Sequence, residues 1–373
     1  MSTRTIPSLI AVTSLLLQQF LFIGSVYASE LPITPDGTTN TQVTQTASGI
    51  DQINIAAPNS SGLSHNKFID YNVNQSGQIL NNFSGNESDV ISTQIGGLVL
   101  ANPNLRSSGS ATVILNEVTS ANISELRGYV EVAGTKADVI IANPNGIFCS
   151  GCGFINISRL SIVAGKTGDK TDYEASGDLI FNLSQSKLDP DSLKLIPLIT
   201  ISGLGLDASR TSATDIISSS VKLISSIYGS NSTDISIKTG DNSFNYNNKE
   251  ITSNSSSPIL SDPNQPLFAI DASSLAKIQS GRIYLIATKA GLGVNMAAEV
   301  LANDSIQIDA NGDIHYTKLA AGNSIDLKST QNIQSIARTC LMGRSIFLKC
   351  YETKEQICIL SVTWTSQSMN SEK

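Results

Sequence analysis

The chain has 373 residues and a formal charge of −7, with 15% charged and 5% aromatic residues. No Lys/Arg-rich run is present, so the clustered cations that neutralise phosphates are missing and nucleic acid is not an expected partner. Strong helix formers are sparse while Asn, Ser, Thr, Gly and Ile abound, a mixture that suits short strands joined by many turns.

The first element reads as an export signal over residues 1–28. Arg4 supplies a positive start, Leu9 to Ile23 is apolar apart from a few polar residues such as Gln18 and Gln19, and Val26-Tyr27-Ala28 offers small residues where a signal peptidase cuts. No later stretch has 18 apolar residues in a row, so no transmembrane helix is expected in the mature chain. Export delivers the cysteines to a compartment where they pair.

Beyond the signal the hydrophobic period is two rather than 3.6. Ile53 and Ile55 alternate with polar neighbours, as do Val130 and Val132, Phe181 and Leu183, Ile199 and Ile201, and Ile235 and Ile237. Each pair is bracketed by Gly, Asn, Asp or Ser, which predicts strands of about four to six residues. The stretch Thr214 to Ile227 has helix-like spacing, but its serines and β-branched residues favour strand. In the last third, "GRIYLIA", "NDSIQIDA", "GNSIDLKS" and "GRSIFLKC" repeat one motif. Their first isoleucines, Ile283, Ile306, Ile325 and Ile346, lie 23, 19 and 21 residues apart. A period near twenty with one inward apolar pair per unit is what a parallel β-solenoid requires, and about 300 residues would make roughly 14 coils of about 22 residues. A β-sandwich is the rival, but its hairpin dipeptides are few here.

Two turns stand out. Asn102-Pro103-Asn104-Leu105 and Asn143-Pro144-Asn145-Gly146 both follow an apolar run ending in alanine, "GGLVLA" and "ADVIIA". Proline fixes φ at the second position, and the first asparagine is suited to cap the turn with its side chain. The repetition points to turns on the same side of successive coils, either as plain corners or as recognition points. Just after the second turn, Cys149 and Cys152 form C-x-x-C. Zinc needs four ligands, and the chain has only His65 and His315 and no second C-x-x-C. A redox pair needs a helix start in a βαβ setting. The simplest reading is a local Cys149–Cys152 disulfide, ahead of free thiols or a redox or metal pair. Cys340, Cys350 and Cys358 make the total odd.

No nucleophile or metal-protease motif is present, and "GKTGDK" (165–170) lacks the glycine spacing of a phosphate loop. No catalytic residue, no metal site and no cofactor is expected. The rival functional class is an extracellular polysaccharide-acting enzyme on a solenoid, which would show three or more carboxylates aligned on one face with a Lys or Arg; a cytolysin fragment is the third.

The segment "SGLSHNKFIDYNVNQSGQILNNF" (Ser61–Phe83) resembles the opening of the filamentous haemagglutinin-type secretion domain. So do "ANPNL", "ILNEV" (Ile114–Val118), "ELRGYVEVAGTKADVIIANPNGIFCSGCGFIN" (Glu125–Asn156) and "FAIDASSL" (Phe268–Leu275). This is the N-terminal domain of two-partner-secretion exoproteins, among them adhesins, haemolysins and contact-dependent inhibition toxins. The resemblance covers roughly Ile50 to Lys328 and keeps the family's motif order. It implies an all-β fold, a right-handed parallel β-helix with short accessory strands. It also implies an outer-membrane β-barrel transporter as partner, passage through the periplasm, and a secreted or cell-surface destination where a host-cell surface is a further partner. The resemblance assigns Asn102, Pro103, Asn104, Leu105, Asn143, Pro144, Asn145 and Gly146 to transporter recognition and turn formation. The expected order is signal peptide 1–28, secretion domain 29–300, further coils 301–338 and an atypical tail 339–373, as in a short or truncated member of the adhesin/haemolysin class.

Overall fold

A computed structural model describes residues 31–168, 178–253, 267–342 and 345–350. The expected export signal over 1–28, most of the expected tail with Cys358, and the side chains of Cys340 and Cys350 lie outside the described residues. The chain divides after Leu31, and every coil belongs to the unit from Pro32 onward.

That unit is a parallel β-helix with three faces. The first face stacks Asp51–Asn54, Gln78–Asn82 and Tyr129–Gly134, then 153–155, 206–207, Ile227–Tyr228, 278–279, 300–301 and 319–320, each paired in parallel with the next. The second face stacks Leu63–Asp70, Val113–Val118, Ala137–Ala142, Ile157–Val163, Ala213–Ser218, Asp234–Thr239, then 282–287 and 305–310, and finally Ser324–Ser329 and Ser345–Cys350. The third face runs from Ser124–Leu126 through 147–149, 199–201, Val221–Leu223, 270–272, 294–296 and 314–316 to 333–335. The coils wind right-handed, the hand that twisted strands impose on parallel crossovers.

The repeat seen in the sequence is a physical column. Ile283 pairs with Ile306, Ile306 with Ile325 and Ile325 with Ile346. Two residues on, Ile237, Leu285, Ile308 and Leu327 form a second column. All of these but Ile346 are buried to 1% exposure or less. The stretch from Thr214 is strand, within Ala213–Ser218 and Val221–Leu223. Among the described residues ten strands stack on the second face, against the roughly 14 coils expected, because excursions such as Val90–Thr93 with Gly97–Leu100, and Gly165–Thr167 with Ile180–Leu183 and Ser243–Asn245, take up residues without adding turns.

Two excursions cover the helix. Val90–Thr93 and Gly97–Leu100 form an antiparallel hairpin, and Ile91, Ile95 and Val99 pack on Ile79 and Ala133 of the first face. Gly165–Thr167, Ile180–Leu183 and Ser243–Asn245 form a three-stranded antiparallel strap. The strap buries Phe181, Phe244 and Tyr246 against Leu115, Ile140, Val163 and Ile217 on the outer side of the second face. Phe181 and Leu183, which alternate like coil strands in the sequence, belong to this strap. At the N-terminal end Gln42–Gln45 pairs antiparallel with Asp51–Asn54, and Thr34–Pro35 with the end of Leu63–Asp70. Antiparallel partners close the first coil's open edge, which would otherwise invite pairing with other chains.

Candidate functional site

The two Asn-Pro-Asn turns are the same device built twice. In the first, Asn102 Oδ1 accepts the Asn104 N–H at 2.9 Å and Leu105 N–H donates to Asn102 O at 3.1 Å. In the second, Asn143 Oδ1 accepts the Asn145 N–H at 2.9 Å and Gly146 N–H donates to Asn143 O at 3.3 Å. The proline ring fits because its position needs no N–H donor. What the asparagine adds beyond the cap is its Nδ2. Asn102 Nδ2 donates to Ile55 O (3.0 Å) and Asn81 O (2.8 Å), and Asn143 Nδ2 to Asn122 O (3.0 Å) and Ser124 Oγ (2.9 Å). The second asparagine of each turn repeats the move: Asn104 Nδ2 reaches Asn40 O at 2.7 Å and Asn145 Nδ2 reaches Ser120 O at 2.8 Å. Ile55, Asn122 and Ser120 all lie one coil back. The asparagines therefore bolt a corner to the coil before it, pairing carbonyls that leave the strand ladder there and would otherwise be stranded.

The turns do not lie on the same side of successive coils. The first sits between the first and second faces, because the run before Asn102 is the second strand of the outer hairpin rather than a coil strand. The second sits between the second and third faces. Nor do the asparagines present polar corners to solvent: Asn102 and Asn143 are 0% exposed. Pro103 is exposed, Asn104, Pro144 and Asn145 are half-buried, and Leu105 and Gly146 are buried. Gly146 has φ +117°, and an added Cβ would lie 2.8 Å from Leu198 O, so the second turn requires glycine where the first accepts leucine.

From Gly146 the chain enters the third face, and 147–149 ends at the disulfide. Cys149 and Cys152 are bonded, with Cα atoms 5.5 Å apart. Both are within 1% of full burial and belong to the inner core with Phe154, Ile201 and Leu206. Gly151, at φ +91°, takes the left-handed position this tight corner demands. Turn and disulfide thus bracket one short strand of one coil.

Sequence reasoning missed two carboxylates that anchor the excursions. Glu131, 5% exposed, accepts the Gln94 and Ile95 N–H groups at 2.8 and 2.9 Å, fixing the outer hairpin. Glu117, 4% exposed, accepts from Thr167 N and Oγ1 at 2.7 and 2.8 Å and contacts His65 Nε2 at 2.7 Å, fixing the strap. Burial opposes ionisation of Glu117, but the His65 and Thr167 bonds outweigh it and hold its pKa below the ordinary glutamate range. Their signal was a Glu inside apolar alternation, in "YVEVA" and "ILNEV". Elsewhere carboxylates pair singly with cations: Asp215 with Arg159 (2.5 Å), Asp234 with Arg282 (2.6 Å), Glu299 with Lys318 (2.9 Å) and Asp309 with Lys328 (3.1 Å). Among the described residues no group of three or more His, Cys, Asp or Glu is arranged to hold a metal ion.

A family model described as "TPS secretion domain" matches residues 32–316. The chain is 37% identical over 318 residues to a 16S rRNA endonuclease CdiA of Enterobacter cloacae subsp. cloacae, covering 85% of this chain and 9% of that protein. It is 34% identical over 284 residues to a tRNA nuclease CdiA of Escherichia coli strain STEC_O31, covering 76% and 8%, and 36% identical over 313 residues to a toxin CdiA of Yersinia pestis, covering 81% and 8%. The chain thus spans less than a tenth of the length of these relatives. The crystal structure of the filamentous haemagglutinin secretion domain superposes with a TM-score of 0.69 at 25% identity, covering 85% of this chain and 99% of that one.

Proposed function

We propose, from the plain fact that the chain belongs to the TPS secretion domain family, that this coil stack is the export address of a secreted exoprotein, engaged by a dedicated outer-membrane β-barrel transporter after passage through the periplasm. The observation that carries the reading is the unbroken family match over 32–316, the stretch that builds every coil from the first strand of the first face to the third-face strand 314–316. Within it, the two Asn-Pro-Asn turns are the sites where export is decided. Proline keeps their unfolded ensemble small, so each turn forms early, and its asparagines then seize the preceding coil. A chain that crosses the outer membrane unfolded and winds from its N-terminus gains from corners that attach each new coil to the last.

In this reading the domain transports and does not catalyse. The nuclease activities in the relatives' names are those proteins' own. The toxin and nuclease names favour a toxin lineage over the haemagglutinin or haemolysin one. The net charge of −7 disfavours nucleic acid as a ligand of this chain, and a host-cell surface is the further partner in this reading. The boundaries proposed are a signal over 1–28, the secretion domain over 29–300 and further coils from 301, which run past the expected limit of 338 to the strand Ser345–Cys350 and leave a shorter tail than 339–373.

Co-expression with an outer-membrane β-barrel transporter of the two-partner-secretion type tests the reading. The protein should reach the medium with the transporter and stay in the periplasm without it. Equal amounts in the medium with and without the transporter would overturn it.

A further inference from the structure

Three successive coils carry an apolar side chain outward on one corner. The corner joins the third face to the first. Residues 202–205 lead from 199–201 to 206–207, 224–226 from Val221–Leu223 to Ile227–Tyr228, and 273–276 from 270–272 to 277–279. Leu204 is 88% exposed, Ile224 47% and Leu275 86%. Single exposed leucines are ordinary on a protein surface, but an aligned set marks a surface that is used. The corners are bonded to one another: Ser225 Oγ donates to Gly203 O at 2.9 Å, and Ser273 Oγ to Ile224 O at 3.1 Å. With coils about 4.8 Å apart, the three side chains fall along about 10 Å of one edge. Leu204 is turned outward by its neighbours, because Gly203 and Gly205 both take left-handed backbone, at φ +54° and +82°. Tyr228, also exposed, follows Ile224 onto the first face. Tyr129 stands in the same column, its ring over Gly153 and its O–H donating to Asp207 at 2.7 Å.

None of the corner residues is charged. The flanks carry Arg210, Lys222, Lys277 and Lys318 against Asp207, Asp271 and Glu299, with Lys222 paired to Asp271 and Lys318 to Glu299. The set is nearly balanced, so no strong field of either sign covers the edge. A stable protein interface takes about 800 Å² of complementary surface per partner, and a convex edge one side chain wide offers far less. A soft apolar medium needs no matching pocket. Tyrosines beside protruding aliphatic side chains suit the boundary between hydrocarbon and water, with the rings level with the headgroups. Anionic lipid is held by clustered cations; a chain of net charge −7 with no such cluster at this edge is matched instead to zwitterionic headgroups. We propose that this corner is a membrane-docking edge, where Leu204, Ile224 and Leu275 insert into a zwitterionic phospholipid bilayer. The edge belongs to the finished helix, so the proposal goes beyond the export reading and stands or falls separately from it.

Co-sedimentation of the full chain with phosphatidylcholine vesicles tests the proposal. The wild type should bind weakly and reversibly, as a few inserted side chains allow, and high salt should not release it, because no ion pair carries the contact. Adding phosphatidylglycerol to the vesicles should weaken binding. Leu204→Ser combined with Leu275→Ser should lower the apparent affinity about ten-fold or more. Both positions are exposed, so the circular dichroism should not change. Leu98→Ser combined with Leu100→Ser, an exposed apolar pair on the outer hairpin, is the control and should bind like wild type. The Leu204/Leu275 variant should still be released with the transporter, so the two readings fail separately. Four results would overturn the proposal: no binding to phosphatidylcholine, tighter binding to the anionic vesicles, an equal loss in the hairpin pair, or binding that survives the Leu204/Leu275 change, as attachment through the apolar N-terminal stretch would. A concentration-dependent dimer of the wild type that this variant lacks would assign the edge to a second copy and overturn it as well.

Discussion

At the scale of single residues, Asn143 does two jobs that substitution can separate. Its Oδ1 caps the turn, and its Nδ2 pairs Asn122 O and Ser124 Oγ. Asn143→Ala should cost about 1–3 kcal/mol, the range for stranding buried polar partners. Asn143→Asp keeps the capping oxygen but turns a carboxylate towards a carbonyl, so in urea denaturation at pH 7 it should be at least as destabilising as Ala. A near-wild-type midpoint for the aspartate variant would reduce the residue to its cap. Replacing Cys149 and Cys152 together with Ala should cost about 2 kcal/mol for so short a loop, leaving the strand-rich circular dichroism intact. Glu117 sets an acid limb. A carboxylate held below its unfolded range stabilises the fold above that range and loses the contribution as pH falls through its native value. His65, with Thr167, faces its carboxylate, and Lys67 and Asn66 flank it on the neighbouring strand. Urea midpoints should therefore drop below about pH 4.3, the ordinary glutamate value, and the drop should be shallower in Glu117→Gln. The turn chemistry was legible because Pro and Asn have fixed conformational habits. The reach of Nδ2 into the previous coil was not, because it depends on which chain segment stacks there.

At the scale of elements, the strap is the part whose stability is most separable. Its hold on the helix is one apolar cluster, centred on Phe181 and Phe244 with rings 6.4 Å apart, together with the Glu117 and Asp138 contacts. Phe244→Ala should remove about 3–5 kcal/mol from that cluster. Hydrogen exchange should then speed up at 165–167, 180–183 and 243–245, while the columns at 282–287 and 305–310 keep their protection. Equal acceleration in both regions would show that strap and coils open as one unit. Sequence periodicity placed Phe181 and Leu183 on a strand but not on the strap, because period two is common to coil strands and to an antiparallel cover. It located the repeat at Ile283, Ile306, Ile325 and Ile346, where every coil is short. It lost count where excursions of about thirty residues intervene. The inner column also changes character at the N-terminal end. There Asn66 pairs with Asn116 at the level of Ile141 and Ile162, and Asn116 donates to the buried Tyr71 hydroxyl. An asparagine in "ILNEV" reads as a surface break, and only the stacking shows that it points inward.

At the scale of the whole molecule, the proposed export task falls on the corners of the solenoid. A solenoid coil contacts only its neighbours, so in a chain that winds from its N-terminus, as proposed, a coil that fails to attach leaves the next without a template. Asn102 and Asn143 attach the corners of early coils, and both are buried; the export role proposed for them therefore belongs to the winding of the chain and not to a surface of the finished helix. The most direct measurement is secretion of Asn102→Ile and Asn143→Ile beside wild type, co-expressed with the cognate transporter, with protein quantified in medium and periplasm. The account predicts wild-type protein in the medium and both variants retained in the periplasm, protease-sensitive over the residues that follow the altered corner. Transporter-dependent release of both variants at wild-type levels would contradict it.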